Sequence, residues 1–350
     1  MVDQHQQDGR ELPYLSVVAP CYNEQEVLPE LYDRVSKVCR KLNKSYEIVL
    51  VNDGSKDTTW SMLRDLAARD SHVVAVNLAR NHGHQLALSA GLSICLGQRV
   101  LVLDADLQDP PELLPEMLAV MDQGVDVVYG QRRTRYGDSL PKRIACAVFY
   151  RTLRQLSDHP IPLDSGDFRL ISRRALDILV SMPERHRFLR GMVSWIGFRQ
   201  EPFLYDRDPR FAGETKYPLR KLIELAVNGV TAFSTKPLRL AIHFGLLSIM
   251  FALLLFVYSI VSWFIFPDAP KGWASLMGAV SILGGIQLLV LGVLGEYLGR
   301  LYEQAKGRPL FIVDRIYRSQ TDGSPAPEMD RATAPSSSLM NGGYVANKTA

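Results

Sequence analysis

The first 130 residues alternate short apolar runs with longer amphipathic segments. The apolar runs are rich in β-branched residues and predict strands, whereas the segments between them carry apolar residues at helical spacing. This alternation predicts a doubly wound parallel α/β sheet. The expected strands are 15–19, 46–51, 73–78, 99–103 and 125–129, and the expected helices are 27–42, 58–68, 85–96 and 112–123.

Two later segments, 240–266 and 273–295, contain no Asp, Glu, Lys or Arg. Each is longer than the roughly 20 apolar residues that cross a bilayer. Because only 267–272 separates them, they predict a transmembrane hairpin with both outer ends on the same side. A soluble hairpin buried in a core is the alternative. Basic residues cluster at the outer ends while the connection holds one lysine, Lys271, which predicts cytoplasmic termini and a cytoplasmic N-terminal domain.

These patterns divide the chain into seven parts. A Leu- and Arg-rich helix near 140–156 has one apolar and one basic face, so it could lie on an anionic membrane surface or pack on its own domain. The tail is rich in Ser, Pro, Ala, Gly and Asn, which predicts disorder. The expected parts are a flexible N-terminus (1–13), an α/β domain (14–215), a juxtamembrane helix (216–239), two membrane helices (240–266 and 273–298), a cytoplasmic segment (299–318) and the disordered tail (319–350).

Composition excludes several classes of protein. The 350 residues carry a formal net charge of +3, too balanced to argue for a nucleic-acid partner. The four cysteines form no C-x-x-C pair, which removes the usual zinc and redox motifs and suits a reducing compartment. The polar first ten residues predict no secretory signal peptide.

An abrupt change from apolar to acidic residues follows the fourth predicted strand. Asp104, Asp106 and Gln108 come directly after it. Ligands of open parallel sheets bind outside the carboxyl ends of the strands, and oxygen ligands suit Mg²⁺ or Mn²⁺. Asp206 and Asp208 have the same spacing but follow no buried strand, so it is the placement that favours a divalent-cation site at the first cluster.

Glu24, Asp53 and Asp167 also follow predicted strands or apolar runs. Carboxylates at such positions accept hydrogen bonds from a base or a ribose, so a nucleoside diphosphate held by metal is the expected ligand. The sequence has no G-x-G-x-x-G after its first strand and no G-x-x-x-x-G-K-[ST]. The absence of these motifs argues against a dinucleotide oxidoreductase and against a P-loop NTPase.

Five ordered motifs together resemble a known family. They are Pro20-Cys-Tyr-Asn-Glu24, Val51-Asn-Asp-Gly-Ser55, Asp104-Ala-Asp-Leu-Gln-Asp-Pro-Pro-Glu112, Gly166-Asp-Phe-Arg-Leu170 and Arg210-Phe-Ala-Gly-Glu-Thr-Lys-Tyr217. The chain resembles the family 2, inverting polyprenyl-phosphate glycosyltransferases, above all the two-helix bactoprenol glucosyltransferases of the GtrB type, which are related to dolichol-phosphate mannosyltransferase. The resemblance implies a GT-A fold, with a Rossmann-like and mostly parallel sheet.

The resemblance also implies roles for individual residues. Asp104 would contact ribose or metal, Asp106 and Gln108 would bind Mg²⁺ or Mn²⁺, and Asp167 matches the proposed catalytic base of the family. Six other residues are implied to bind the nucleotide sugar: Pro20, Tyr22, Glu24, Asp53, Arg210 and Lys216. The residues implied to bind the acceptor phosphate are Arg132, Arg133, Arg135 and Arg143.

The implied reaction moves a sugar from a nucleotide sugar onto a polyprenyl phosphate at the inner membrane. UDP-glucose is the favoured donor, with a UDP-linked aminoarabinose or GDP-mannose as alternatives, and the resemblance favours a homo-oligomer, with a tetramer as the expected form. A processive polysaccharide synthase would be expected to carry Gln-x-x-Arg-Trp, and no tryptophan here has that setting. A non-catalytic scaffold or flippase partner would not need the donor-site carboxylates.

Overall fold

The computed structural model describes residues 12–133, 165–206, 236–265 and 272–318. The chain divides into two compact units, one made of residues 1–150, 159–218 and 309–350 and the other of 151–158 and 219–308. The described part of the first unit is an α/β domain, and that of the second consists of two long helices.

One sheet organises the first unit. Its strand order is β7-β5-β6-β4-β1-β2-β3-β8. The strands in chain order are β1 (Leu15–Cys21), β2 (Tyr46–Asn52), β3 (Val73–Leu78), β4 (Arg99–Val102), β5 (Val127–Arg132), β6 (Ser165–Ser172), β7 (Gln200–Tyr205) and β8 (Val313–Arg318).

The sheet is mostly parallel. Strands β3, β2, β1 and β4 form a parallel centre, which confirms the fold class expected from the alternating pattern. Strand β6 runs antiparallel between β4 and β5, and β8 runs antiparallel along β3. Strand β5 begins two residues and ends three residues later than expected, because its ladder with β7 begins at Val127 opposite Gln200 and continues to Arg132.

The helices of the first unit join these strands. They are α1 (Leu28–Lys41), α2 (Thr59–Arg69), α3 (His84–Ile94), α4 (Leu114–Met121), α5 (Arg173–Ser181) and α6 (Leu189–Trp195). The helix expected over 112–123 is shorter and opens with a 3-10 turn at Pro111–Leu113. Its C-terminal limit is set by the turn that follows, in which Gly124 has a φ of 82° that favours glycine.

The core lies against the parallel centre of the sheet, and β1 is buried along its whole length. Helix α3 approaches the sheet closely at Gly91, where an added Cβ would lie 2.4 Å from Val18 Cγ1. Only glycine permits this distance, so α3 is fixed against β1 and β2. The N-terminus of α3 is thereby held near the carboxyl ends of the strands.

The second unit contains α7 (Lys236–Ile265) and α8 (Trp273–Ala305). Both are long and apolar enough to cross a membrane, and only 6% and 0% of the residues in their apolar spans are buried. A core hairpin of a soluble protein would be buried, so this exposure argues against that alternative. Helix α8 runs seven residues past the end expected at 298, to Ala305.

Several expected parts lie outside the described residues. They are the basic helix near 140–156, residues 216–235 of the juxtamembrane helix expected over 216–239, nearly all of the hairpin connection and the tail after Arg318. The last four residues of that expected helix are the start of α7.

Candidate active site

The loops that follow β1 and β2 are joined to each other by hydrogen bonds. Asn23 adopts a φ of 54°, which asparagine tolerates, and its backbone N–H donates to Ser55 Oγ at 3.0 Å. The Glu24 N–H donates to Thr59 Oγ1 at 2.9 Å. These bonds hold Glu24 and the exposed ring of Tyr22 at the carboxyl edge of the sheet, whereas Pro20 is buried within β1.

Asp53 follows β2 and is buried. Its two carboxylate oxygens accept the backbone N–H groups of His82 at 2.7 Å and Gly83 at 2.9 Å, and Asn81 Nδ2 donates to its carbonyl oxygen at 3.0 Å. Burial raises the pKa of Asp53, and the two backbone N–H groups oppose that rise. Asp53 therefore organises the loop before α3, while its expected contact with base or ribose stays a prediction.

The acidic cluster after β4 forms a tight turn. Asp106 Oδ1 accepts the Gln108 N–H at 3.2 Å, and Leu107 between them has a φ of 56°. This left-handed conformation is strained for leucine, and the buried side chain of Leu107 stabilises it by packing in the core. The fully buried Asp109 accepts a hydrogen bond from the Tyr205 hydroxyl at 2.5 Å, which ties the turn to β7.

Asp167, on β6, is buried and surrounded by donors. Its carboxylate lies 2.9 Å from Gln85 Nε2, 3.1 Å from His84 Nε2 and 2.9 Å from Arg190 Nε. The buried Arg169 guanidinium lies 3.9 Å away. Burial alone would raise the pKa of Asp167, but Arg190 and His84 hold that pKa well below its usual range. Asp167 is therefore an ionised carboxylate at neutral pH.

His84 lies between two of these carboxylates. Its Nε2 is 3.1 Å from Asp167 Oδ2 and 3.4 Å from Asp104 Oδ1. Burial would lower the pKa of His84, but the hydrogen bond to Asp167 and the charge of Asp104 raise it to about 9. The imidazole is thus protonated at neutral pH, and it would have to release its Nε2 proton before that nitrogen could bind a metal ion. The side-chain surface of His84 is 44% exposed.

His84, Asp104 and Asp167 could together hold a divalent cation, because one ligand atom from each lies within 4.8 Å of the others. Asp104 Oδ1 is buried and makes no hydrogen bond to the described residues. Burial raises the pKa of Asp104 to about 6, with the charge of His84 opposing the rise. Carboxylate and imidazole ligands suit a divalent ion. Asp104, which the sequence predicted as a ligand, is therefore joined by Asp167, which the resemblance implied as a catalytic base, and by His84, which was not predicted.

Of the four arginines expected at the acceptor phosphate, Arg132 and Arg133 are described. Both lie at the end of β5. The Arg132 guanidinium lies close to Gly166, the residue before Asp167: a Cβ added to Gly166 would be 3.4 Å from Arg132 Nη2. Arg133 Nη1 lies 3.8 Å from Asp206 Oδ2, and both side chains are exposed. Four expected site residues lie outside the described part of the chain: Arg135, Arg143, Arg210 and Lys216.

Sequence reasoning missed His84, Gln85 and Arg190. The first two follow β3 at its carboxyl end, so the rule that selected Glu24, Asp53 and Asp104 also applied to them. Arg190 belongs to the short helix α6, which the pattern did not predict, and it is 23 residues from Asp167 along the chain. No local signal pointed to it.

Comparison with known proteins agrees with the fold. The model of "Glycosyl transferase family 2" matches residues 16–179, and that of "GtrB C-terminal hairpin" matches residues 236–301. An uncharacterized glycosyltransferase of Bacillus subtilis, YkcC, is 44% identical over 88% of this chain and 95% of its own length. The prophage bactoprenol glucosyl transferase homolog of Escherichia coli is 39% identical over 86% and 99%, and the SfII prophage-derived bactoprenol glucosyl transferase of Shigella flexneri is 38% identical over 87% and 98%.

The mostly parallel sheet and the match to glycosyl transferase family 2 define an α/β glycosyltransferase of the GT-A type. The chain belongs to glycosyl transferase family 2, and its two long helices are the GtrB C-terminal hairpin. The family resemblance drawn from the five motifs is confirmed.

Proposed function

We propose that this protein transfers glucose from UDP-glucose onto a polyprenyl phosphate, undecaprenyl phosphate in particular. The product is a polyprenyl-phosphate sugar used to modify cell-envelope glycans. The observation that carries the proposal is the joining, in one chain, of the His84, Asp104 and Asp167 cluster to a GtrB-type hairpin. Relatives 38–39% identical over most of their length are named bactoprenol glucosyl transferases, which favours this donor and acceptor.

The proposed reaction is a single displacement with inversion. An oxygen of the lipid phosphate attacks the anomeric carbon, and the bond from that carbon to the diphosphate oxygen breaks, so UDP leaves with the electron pair. Negative charge develops on the departing diphosphate. Arg210 and Lys216 are proposed to bind that diphosphate, while Pro20, Tyr22, Glu24 and Asp53 hold the nucleoside.

Mg²⁺ or Mn²⁺ is the proposed cofactor, and it supplies charge stabilisation at the diphosphate when bound. Asp104, Asp106 and Gln108 are proposed to hold it, and His84 and Asp167 lie close enough to Asp104 to take part. The buried Asp104 Oδ1, which has no hydrogen-bond partner among the described residues, fits this role.

Asp167 is proposed to orient the reacting groups rather than to serve as a strong base. The second pKa of a phosphate monoester is about 6, so the lipid phosphate is largely a dianion at pH 7 and needs little deprotonation. Asp167 is already surrounded by His84, Gln85 and Arg190. We propose that Arg132, Arg133, Arg135 and Arg143 bind the acceptor phosphate.

The proposed location is the inner membrane, with both termini and the catalytic domain in the cytoplasm, as the basic flanks favour. A homo-oligomer, a tetramer in particular, is proposed from the family resemblance together with the glycines of α8. A Cβ added at Gly284, Gly285 or Gly292 would meet no other atom of the described residues within 4 Å. Such positions permit close approach of a helix from another subunit.

A donor panel tests the proposal. Purified full-length protein is incubated with undecaprenyl phosphate, Mg²⁺ or Mn²⁺, and labelled UDP-glucose, UDP-aminoarabinose or GDP-mannose in turn. We expect label to enter the lipid fraction from UDP-glucose, and Asp106→Ala to abolish the transfer. Transfer from another donor instead would show that this donor, and not UDP-glucose, is the substrate. No transfer from any donor, with wild type and Asp106→Ala indistinguishable, would favour a scaffold or flippase partner.

A further inference from the structure

We propose that the segment Asn81–Gln85, here called the 81–85 segment, is a positioning bridge between Asp53 and Asp167. His84 and Gln85 are then positioning residues for the transfer, and Gly83 is the backbone joint that places them. This inference rests on the proposed function and adds residues to its site.

The first end of the bridge is attached to Asp53. Three hydrogen bonds of 2.7–3.0 Å join Asp53 to Asn81, His82 and Gly83. Gly83 has φ 90° and ψ 155°, a conformation that is essentially restricted to glycine. A Cβ at Gly83 would meet no other atom within 4 Å among the described residues, so the need for glycine comes from the backbone and not from crowding.

The second end of the bridge is attached to Asp167. His84 and Gln85 form the first turn of α3, and both side chains contact Asp167 Oδ2, at 3.1 and 2.9 Å. The Gln85 Oε1 atom also accepts the backbone N–H of Leu189 at 3.0 Å. Leu189 begins α6, whose next residue, Arg190, binds the same carboxylate. The side-chain amide of Gln85 thus positions both Asp167 and α6, the helix that carries Arg190.

The bridge is held by rigid neighbours. Helix α3 is fixed on the sheet at Gly91, and the backbone of Ala79, just before the segment, donates to the Ile312 carbonyl at 2.9 Å. A change at Gly83 therefore cannot be absorbed by a shift of α3 and must move His84 and Gln85 relative to Asp167. Misplacement of a catalytic group by about 1 Å can lower a rate by roughly 10²-fold.

The test compares two glycines. Gly83→Ala introduces strain at the bridge, and Gly124→Ala introduces positive-φ strain at a surface turn, since Gly124 has a φ of 82° and no other atom within 4 Å of an added Cβ among the described residues. We expect kcat for glucosyl transfer to fall at least about tenfold in Gly83→Ala and by less than about twofold in Gly124→Ala. The KM for UDP-glucose should change less than kcat, and the unfolding temperature of each variant measures how much stability its strain removes.

A double-mutant cycle separates positioning from a general structural effect. His84→Asn and Gln85→Ala should each lower kcat, and Gly83→Ala should cost little more when added to the His84→Asn, Gln85→Ala pair, because it acts through those side chains. Equal kcat in Gly83→Ala and Gly124→Ala, or fully multiplicative losses in the cycle, would overturn the inference. If Gly83→Ala does not fold, normal kcat in both side-chain variants would overturn it. Lack of transfer by the wild type would instead contradict the proposed function.

Discussion

Arg190 Nε lies 2.9 Å from Asp167 Oδ1, and the two residues come from different elements, α6 and β6. The Asp167 side chain is 2% exposed, so its charge depends on partners inside the protein. The pair thereby links the stability of the domain to the candidate active site.

We expect Arg190→Gln to destabilise the protein. Breaking a buried ion pair costs about 3–5 kcal/mol, and we expect a value near the lower end because 27% of the Arg190 side chain is exposed. The matched control is Arg199→Gln, which breaks an exposed pair with Glu201 and should cost less than about 1 kcal/mol. Unfolding of the full-length protein in detergent measures both. Equal stability of the two variants would show that the Arg190 pair contributes little.

Asp167→Asn should lower kcat by about 10- to 100-fold at every pH from 6 to 9. A hydrogen bond to a charged group contributes about 1.5–3 kcal/mol, and losing that energy in the transition state lowers a rate by this factor. A carboxylate is charged above its pKa, and the pKa of Asp167 lies well below 3.8, so its charge is constant across this window. The charge of Asp167 itself therefore adds no pH dependence in this window, and any difference between the two pH profiles should come from His84, whose pKa Asp167 raises. Near-normal turnover of the variant at pH 8 would show that Asp167 has only a secondary role.

Asp104→Asn should weaken Mn²⁺ binding by at least about tenfold, because it removes a charged ligand. Asp206→Asn is the control, since Asp206 also begins an Asp-x-Asp triplet but pairs with the exposed Arg133. Titration of Mn²⁺ by calorimetry, in the presence of UDP, compares the two variants. Unchanged affinity in Asp104→Asn would place the cation elsewhere.

Two truncations test the role of β8. A chain ending at Arg318 should fold and transfer sugar like the full-length protein, since it keeps every strand of the described sheet. A chain ending at Arg308 loses β8 and the hydrogen bond from Asn77 Nδ2 to Asp314 Oδ2, and it exposes the edge of β3. We expect that shorter chain to aggregate or to unfold at a lower temperature. Equal behaviour of both truncations would contradict a structural role for β8.

The local part of the fold could be predicted from the sequence. Strand β3 has the predicted limits because its apolar run ends where its ladder ends, and Asp104 was found because it directly follows a buried strand. Pairings between distant segments could not be predicted. The return of β8 to β3 and the approach of Arg190 to Asp167 depend on tertiary packing, which no period of apolar residues reports.

The 81–85 segment shows the same limit within the site. Its position after a strand could have marked it as a candidate, but only the structure shows that Asp53 binds its backbone and Asp167 its side chains. Asp53, which is expected to bind the nucleotide, thus also holds the loop before α3 in place.

The most direct test of the account is the identity of the lipid product. Full-length protein, UDP-glucose, undecaprenyl phosphate and Mg²⁺ or Mn²⁺ are incubated, and the extracted lipid is analysed by mass spectrometry and NMR. We expect the lipid phosphate to gain one hexose, with the anomeric configuration opposite to that of the donor. An unchanged lipid, or a glucosyl lipid with retained configuration, would contradict it.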